Sequence, residues 1–373
     1  MHNNEYSKAI VVGVEPISLI NFRGALIKDM MKSGKEILTV SLPLTNALQE
    51  QFDEVGISHQ SIYFQRTGLN PVEDFKSLIA LLGLFKKERP DFILAYTIKP
   101  VIWGGIAARF SKVPFYALVT GLGFAFQGES FRRKLLTKLV SFLYGVALSH
   151  ANKVIFQNED NRRLFVERRI VPFDKTEVVN GSGVDISRFD LSTLHSLDNG
   201  VRFLCIARLL GEKGLREYAR AAAIVKMQYP NSQFVLVGPE DTSPDGILIS
   251  EVKSWDGIDY QDSTNDVRPF IGKAHVYVLP SYHEGLPRST IEAMSMGRAV
   301  ITTDAVGCKD TVDEGVNGFK IPVKNVALLV EKMIWFIEHP DQIQPMGLAS
   351  RKMVEEKFDV HKVNARMLEI MGL

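Results

Sequence analysis

The chain has 373 residues, more than one hydrophobic core comfortably serves, so two domains are expected. Its 46% hydrophobic and 23% charged residues exclude disorder, collagen and coiled coil; two distant cysteines, Cys205 and Cys308, exclude a disulfide framework and fit a reducing cytoplasm. The net charge of +1 conceals an asymmetry, with 23 Lys/Arg against 17 Asp/Glu in residues 1–180 and 21 against 26 in residues 181–373, and a basic half suits phospholipid or phosphorylated substrates, although scattered solvated charge gives the same counts.

The opening residues, MHNNEYSKAIVVGV, run straight into an apolar strand pattern without the h-region of a signal peptide. No stretch reaches the ~18–20 apolar residues of a spanning helix. Leu139–Leu148 comes nearest and is interrupted by Ser141 and Gly145. The expectation is a protein not inserted in a membrane, though able to sit on one.

Short apolar runs then alternate with longer amphipathic stretches, the pattern of βαβ units. Strands are expected at Ala9–Val14, Ile37–Ser41, Phe92–Ala95, Phe115–Val119 and Lys153–Gln157. Helices fall at Ile20–Lys32, Val72–Glu88, Ile102–Phe110 (opened after Pro100) and Phe131–His150. Gly181–Gly200 is polar, Gly/Ser/Asp-rich and aperiodic, and reads as an interdomain linker. A second alternation follows: strands at Arg202–Ala207, Gln233–Val237, His275–Pro280 and Ala299–Thr302, helices near Leu215–Met227 and Arg288–Met296. The expected domains are 1–180 and 181–356, with 357–373 as a terminal helix able to pack back on the first. Ligands of such sheets bind beyond the carboxyl ends of the strands.

The most informative segment is VLPSYHEGLPRSTIEAMSMGRAVITTDAVG, Val278–Gly307. A strand leads into a turn with Glu284 and Gly285, and Pro287 is expected in the first turn of a helix. The amides of Leu286, Arg288 and Ser289, with the helix dipole, would suit a diphosphate. Glu284 and Glu292 could each accept hydrogen bonds from sugar hydroxyls, one from a ribose and one from a transferred hexose; a lone pair of glutamates eight apart is more often a solvated helix face, but here the strand, the Gly-x-Pro turn and the small-residue helix (Ala293, Met294, Ser295, Gly297) strengthen the functional reading. Arg208 and Lys213, in ARLLGEKG after the first strand of the second half, would set two cations at that strand's carboxyl end.

This segment resembles the E-x7-E signature of the retaining family 4 glycosyltransferases. The resemblance implies the α/β GT-B fold, two Rossmann-like domains with parallel sheets facing across a cleft. It implies that Glu284 contacts the donor sugar, that Glu292 holds the ribose, and that Arg208 and Lys213 stabilise the departing nucleotide diphosphate without a metal or cofactor. Cys308 stands where many members have a second glycine. VLVGPEDTSPDG resembles the loop near the nucleotide, with Gly238 permitting close approach, and Tyr260–Arg268, Val267 included, resembles the stretch framing the base; Asp262 replaces a common glycine there.

In the N-terminal half, Ser18, Asn21 and Arg23 follow the first strand and could meet an acceptor sugar or phosphate, or simply form a polar helix start. Thr120 of TGLGF stands near where many members carry a histidine, Thr120 and Gly121 are candidate acceptor-binding residues, and the TGLGF and AYTIKP forms resemble a subgroup that builds surface polysaccharides, O-antigen type, on undecaprenyl diphosphate. Lys99 is a candidate contact to the acceptor diphosphate, with an ordinary surface lysine as the alternative. Arg132, Arg133, Lys134 and Lys138 open an apolar helix, suiting either a membrane surface beside a polyprenyl acceptor or a half-buried helix with a charged first turn.

The resemblance thus implies a metal-independent hexosyltransferase using a nucleotide-sugar donor, UDP-GalNAc or UDP-GlcNAc, and a polyprenyl-diphosphate-linked saccharide acceptor, placed peripherally on the inner face of the cytoplasmic membrane. A GT-B sugar-nucleotide epimerase and a noncatalytic sugar-nucleotide binding protein are the alternatives. His275 and His283 lack metal-ligand spacing, and P-loop, GxSxG and complete GxGxxG motifs are missing. No interleaving of aromatic and basic residues suggests nucleic acid.

Overall fold

The computed structural model describes residues 7–65, 70–122, 126 and 131–373, the side chains of 131–133 excepted. Two units divide the chain: one runs to Ser182 and also takes Val363–Leu373, and the other is Gly183–Lys362. Among the described residues no helix is long and apolar enough to cross a membrane.

The first unit is built on seven parallel strands: β1 Ser7–Val12, β2 Lys35–Ser41, β3 Ser58–Ser61, β4 Phe92–Tyr96, β5 Phe115–Val119, β6 Lys153–Phe156 and β7 Thr176–Val178. Their order is β3-β2-β1-β4-β5-β6-β7, so chain direction across the sheet reverses between β1 and β4. β4 is buried along its whole length, as a central parallel strand covered on both faces must be. The helices Pro71–Glu88, Ile98–Ser111 and Phe131–Leu148 share one core with the sheet. Gly24–Lys32 covers another face, together with Met367 and Met371 of the terminal helix Val360–Met371. That helix is tied down by Asn364 Nδ2 to Asp29 Oδ2 at 2.8 Å and by Tyr116 Oη to the Met371 carbonyl at 3.2 Å.

The second unit repeats the plan on six strands: β8 Arg202–Ile206, β9 Gln233–Val237, β10 Ile258–Gln261, β11 Val276–Leu279, β12 Ala299–Thr303 and β13 Gly318–Ile321. The order β10-β9-β8-β11-β12-β13 puts its switch between β8 and β11. Parallel sheets of this order bind ligands at the switch, beyond the strand ends.

Three sequence readings need correction. The linker expected at Gly181–Gly200 holds the division between the units, after Ser182, but its remainder is not loose: Val184 and Phe189 are buried in the second core, and Ser295 Oγ donates to the Phe189 carbonyl at 2.6 Å. The helix expected at Ile20–Lys32 is two, Pro16–Asn21 and Gly24–Lys32, broken at Phe22–Arg23. The helix expected after Pro100 starts earlier, at Ile98, because a first-turn proline sacrifices no intrahelical hydrogen bond.

Candidate active site

In the second unit, β8 and β11 end side by side, and each delivers a functional segment. After β8 a 3-10 turn, Gly211–Lys213, leads into the helix Leu215–Gln228. Gly214 makes this possible: its φ is 69°, and a Cβ there would lie 2.1 Å from the Pro280 carbonyl oxygen. Lys213 is thereby pressed against the segment leaving β11. Its Nζ donates to Glu284 Oε1 at 2.7 Å, both side chains being more than four-fifths buried.

The surroundings fix this pair. The Ser281 hydroxyl lies 2.9 Å from Glu284 Oε1 and 3.2 Å from the Glu212 carbonyl, and the Tyr282 amide donates to that same carbonyl at 2.8 Å. The Glu284 amide donates to Val306 at 2.9 Å. Behind it stands Gly307, φ 77°, where a Cβ would meet the Glu284 and Gly285 carbonyl oxygens at 2.4 and 2.5 Å. Cys308, by contrast, has φ −70°, so nothing in its backbone calls for glycine; it is buried, which pushes its thiol up to about 12. For Lys213, burial pulls the ammonium down, but the charge and hydrogen bond of Glu284, aided by Glu212, outweigh it and leave its pKa above the ordinary lysine value.

Beyond the turn holding Gly285 and Leu286, the helix is Arg288–Ser295, with Pro287 as its cap and not within its first turn as expected. The first-turn amides of such a helix have no carbonyl one turn back, and its dipole favours an anion there. The Ser289 hydroxyl is engaged internally: it donates to the Ile206 carbonyl at 3.0 Å and receives the buried Tyr277 hydroxyl at 2.7 Å, which pins the helix start to the end of β8. Glu292 accepts from Arg288 Nε at 2.9 Å. Burial raises the Glu292 carboxyl above its ordinary value, against the pull of Arg288 and Arg188.

Arg208 reaches no glutamate of this group. Its Nη1 donates to Asp241 Oδ2 at 2.5 Å, and Asp241, buried, takes the Ser243 amide on its other oxygen at 2.9 Å. Gly238, at φ 156°, sits where a Cβ would be 1.9 Å from the Ala207 carbonyl oxygen, so β9 and β8 close tightly beneath Arg208. Val267 is half-buried and caps the short helix Arg268–Lys273.

In the first unit the predicted residues gather at the ends of β1, β4 and β5. Ser18 Oγ bonds Tyr96 Oη at 2.7 Å, and the Arg23 guanidinium, buried, stacks 5.2 Å from the Tyr96 ring. Burial pushes Tyr96 up to about 12 in spite of both neighbours. Gly13 leaves the space this tyrosine fills, since a Cβ would lie 2.3 Å from its hydroxyl. Asn21 is exposed at the end of its helix, and Thr120 and Gly121 follow β5, half-buried. Gly123 and Phe124 of the TGLGF stretch lie outside the described residues, as do the side chains of Arg132 and Arg133. Lys99 is not an ordinary surface lysine: its Nζ pairs with buried Asp74 at 2.8 Å, tying two helices together.

Sequence reasoning missed Ser281, Asp241, Tyr277 and Thr97. The first three act across separations of up to 71 residues or through a single hydrogen bond, and no spacing announces them. Thr97, directly after β4, holds φ 68°, ψ 163°, a region β-branched residues avoid at a strain of about 1–3 kcal/mol, and its Oγ1 is buried with no partner among the described residues.

Comparison with known proteins matches this geometry to a family. Residues 200–339 match the family described as glycosyl transferases group 1, and residues 26–158 match glycosyl transferase 4-like. The chain is 28% identical over 366 residues, 95% of each chain, to the N,N'-diacetylbacillosaminyl-diphospho-undecaprenol alpha-1,3-N-acetylgalactosaminyltransferase of Campylobacter jejuni. It is 27% identical to the UDP-Gal:alpha-D-GlcNAc-diphosphoundecaprenol alpha-1,3-galactosyltransferase of Escherichia coli, covering 87% of this chain and 84% of that one. The crystal structure of Anabaena HepE in complex with UDP and glucose superposes with a TM-score of 0.78 at 18% identity, covering 98% of this chain and 99% of that one. One family match falls on each parallel sheet, and the chain belongs to the group 1, family 4-like glycosyltransferases, with the two Rossmann-like domains of the GT-B fold.

Proposed function

We propose that this glycosyltransferase moves a hexose or N-acetylhexosamine, with retention and without a metal, from a UDP-sugar (UDP-GalNAc or UDP-GlcNAc) to a polyprenyl-diphosphate-linked saccharide at the inner face of the cytoplasmic membrane. The observation that carries the reading is the Lys213–Glu284 pair, held at 2.7 Å beside the start of the helix that bears Glu292. The acceptor class is supported by the two relatives just named, each of which acts on a diphospho-undecaprenol-linked sugar by its name.

In this reading the donor diphosphate lies at the start of the helix Arg288–Ser295, with Lys213 and Arg208 facing it. Glu284 accepts a hydroxyl of the transferred sugar and Glu292 the ribose hydroxyls. The acceptor hydroxyl attacks the anomeric carbon on the face the nucleotide leaves. The bond from that carbon to the diphosphate oxygen breaks as the new glycosidic bond forms, and the acceptor proton passes to the departing oxygen. Lys213 and Arg208 stabilise the charge that develops there. Ser18, Arg23, Lys99 and the ends of β4 and β5 receive the acceptor.

The test is incubation of the purified chain with UDP- and GDP-sugars, EDTA and a membrane lipid extract, following nucleotide release and lipid-linked product. UDP release that requires lipid and survives EDTA is the expected result. Isomerisation of the donor without lipid would replace transfer by epimerisation.

A further inference from the structure

The helix Phe131–Leu148 turns one face to the core and another to solvent. Val140, Tyr144, Ala147 and Leu148 are buried, whereas Leu135, Leu139 and Phe142 are 62%, 46% and 67% exposed. At about 100° per residue these three fall within about 60° of one another and form a single ridge. Lys134 and Lys138, both exposed, run along one side of it. At Phe142 the ridge meets a shallow recess lined also by Arg109, Arg168 and Arg169, all exposed, and by no carboxylate. Arg109 comes from the neighbouring helix, with its guanidinium 3.3 Å from Ser149 Oγ and the exposed Phe110 next to it in the chain.

A narrow apolar ridge edged by five cations fits one kind of partner best. Protein interfaces are depleted of lysine and need about 800 Å² on each side. An anionic bilayer asks for less: apolar side chains that enter the acyl boundary, with basic groups at the phosphates. We propose that this ridge inserts into an anionic lipid bilayer, Leu135, Leu139 and Phe142 below the headgroups and Lys134, Lys138, Arg109, Arg168 and Arg169 among them. The inference deepens the proposed function by supplying the surface through which the enzyme reaches a lipid-linked acceptor.

The experiment is flotation of the full chain, without donor, on vesicles of phosphatidylcholine alone and of an equal mixture with phosphatidylglycerol. The wild type binds the anionic vesicles, less so at high salt. Leu139→Asp/Phe142→Asp lowers that binding about 10-fold or more, and Lys134→Ala/Lys138→Ala about 5-fold per lysine. Both variants keep wild-type turnover on a water-soluble acceptor analogue, which also reports folding; should the first misfold, the lysine pair carries the test. Equal binding to both vesicle types, or binding unchanged in both variants, overturns the proposal. So does a wild-type dimer that Leu139→Asp/Phe142→Asp dissociates, which would give the face to a second copy. Vesicle binding is read without transfer, so the two readings fail separately.

Discussion

The two units share a strand order and diverge in what they hold at their surfaces. The first carries +6 and the exposed aromatics Phe22, Tyr63, Phe75, Phe110, Phe142 and Phe173; the second carries −5, and among its described residues no aromatic is exposed. The second instead concentrates cation–carboxylate contacts at its strand ends: Lys213 with Glu284, Arg208 with Asp241, Arg288 with Glu292. Buried, paired charge beside a helix start suits the small polyanionic donor proposed above, and exposed Lys134, Lys138, Arg109, Arg168 and Arg169 beside exposed aromatic and aliphatic side chains suit the lipid-linked acceptor proposed there.

The largest expected effect breaks the second unit's charge pair. Lys213→Ala and Glu284→Gln should each lower kcat about 10²–10³-fold, since the proposed mechanism sets one against the leaving group and the other against the transferred sugar. Lys213→Ala should also destabilise by about 3 kcal/mol, because a largely buried carboxylate loses its cation. The double variant should recover part of that stability and none of the activity; full stability of Lys213→Ala in urea unfolding would show the pair to be structurally idle.

Gly307→Ala comes next. Two carbonyl oxygens within 2.5 Å of the new Cβ must move, and they belong to Glu284 and Gly285. The expected cost is about 2–3 kcal/mol with a loss of turnover, against about 1–2 kcal/mol for Gly34→Ala in the first unit, where only the φ of 86° opposes a side chain and no atom lies within 4 Å. Equal melting shifts for the two would remove the argument from close approach.

On the acceptor side, Thr97→Gly relieves backbone strain, so its melting temperature should hold or rise while transfer falls about 10-fold through the acceptor KM. A drop in stability with unchanged KM would make Thr97 a packing residue. Smallest is a pH effect. Burial raises the Glu292 carboxyl, so it takes up a proton at a higher pH than an ordinary glutamate as pH falls. Donor KM should therefore begin to rise above the usual carboxylate range, with kcat less affected, and Glu292→Gln should flatten the profile. The linked stability has the opposite sense: a carboxyl raised in the folded state favours folding when protonated and loses that contribution as pH rises through its folded value.

The sequence alone determined the alternation of parallel strands and helices, because central strands are buried on both faces and read as unbroken apolar runs such as FILAY and VYVL. It also placed Glu284 and Glu292 in a strand–turn–helix and Lys213 after β8, since those residues are near one another in the chain or next to a strand end. The strands it failed to announce, β3, β7, β10 and β13, are the four sheet edges, where one neighbour suffices and segments such as SHQS and IDYQ need not be apolar. Only the tertiary structure decided which cation meets which carboxylate. Lys213 takes Glu284 across 71 residues, Arg208 takes Asp241 across 33, and Lys99 takes Asp74 across 25. Such pairings depend on how strand ends are ordered across a sheet, and the residues between them carry no trace of it.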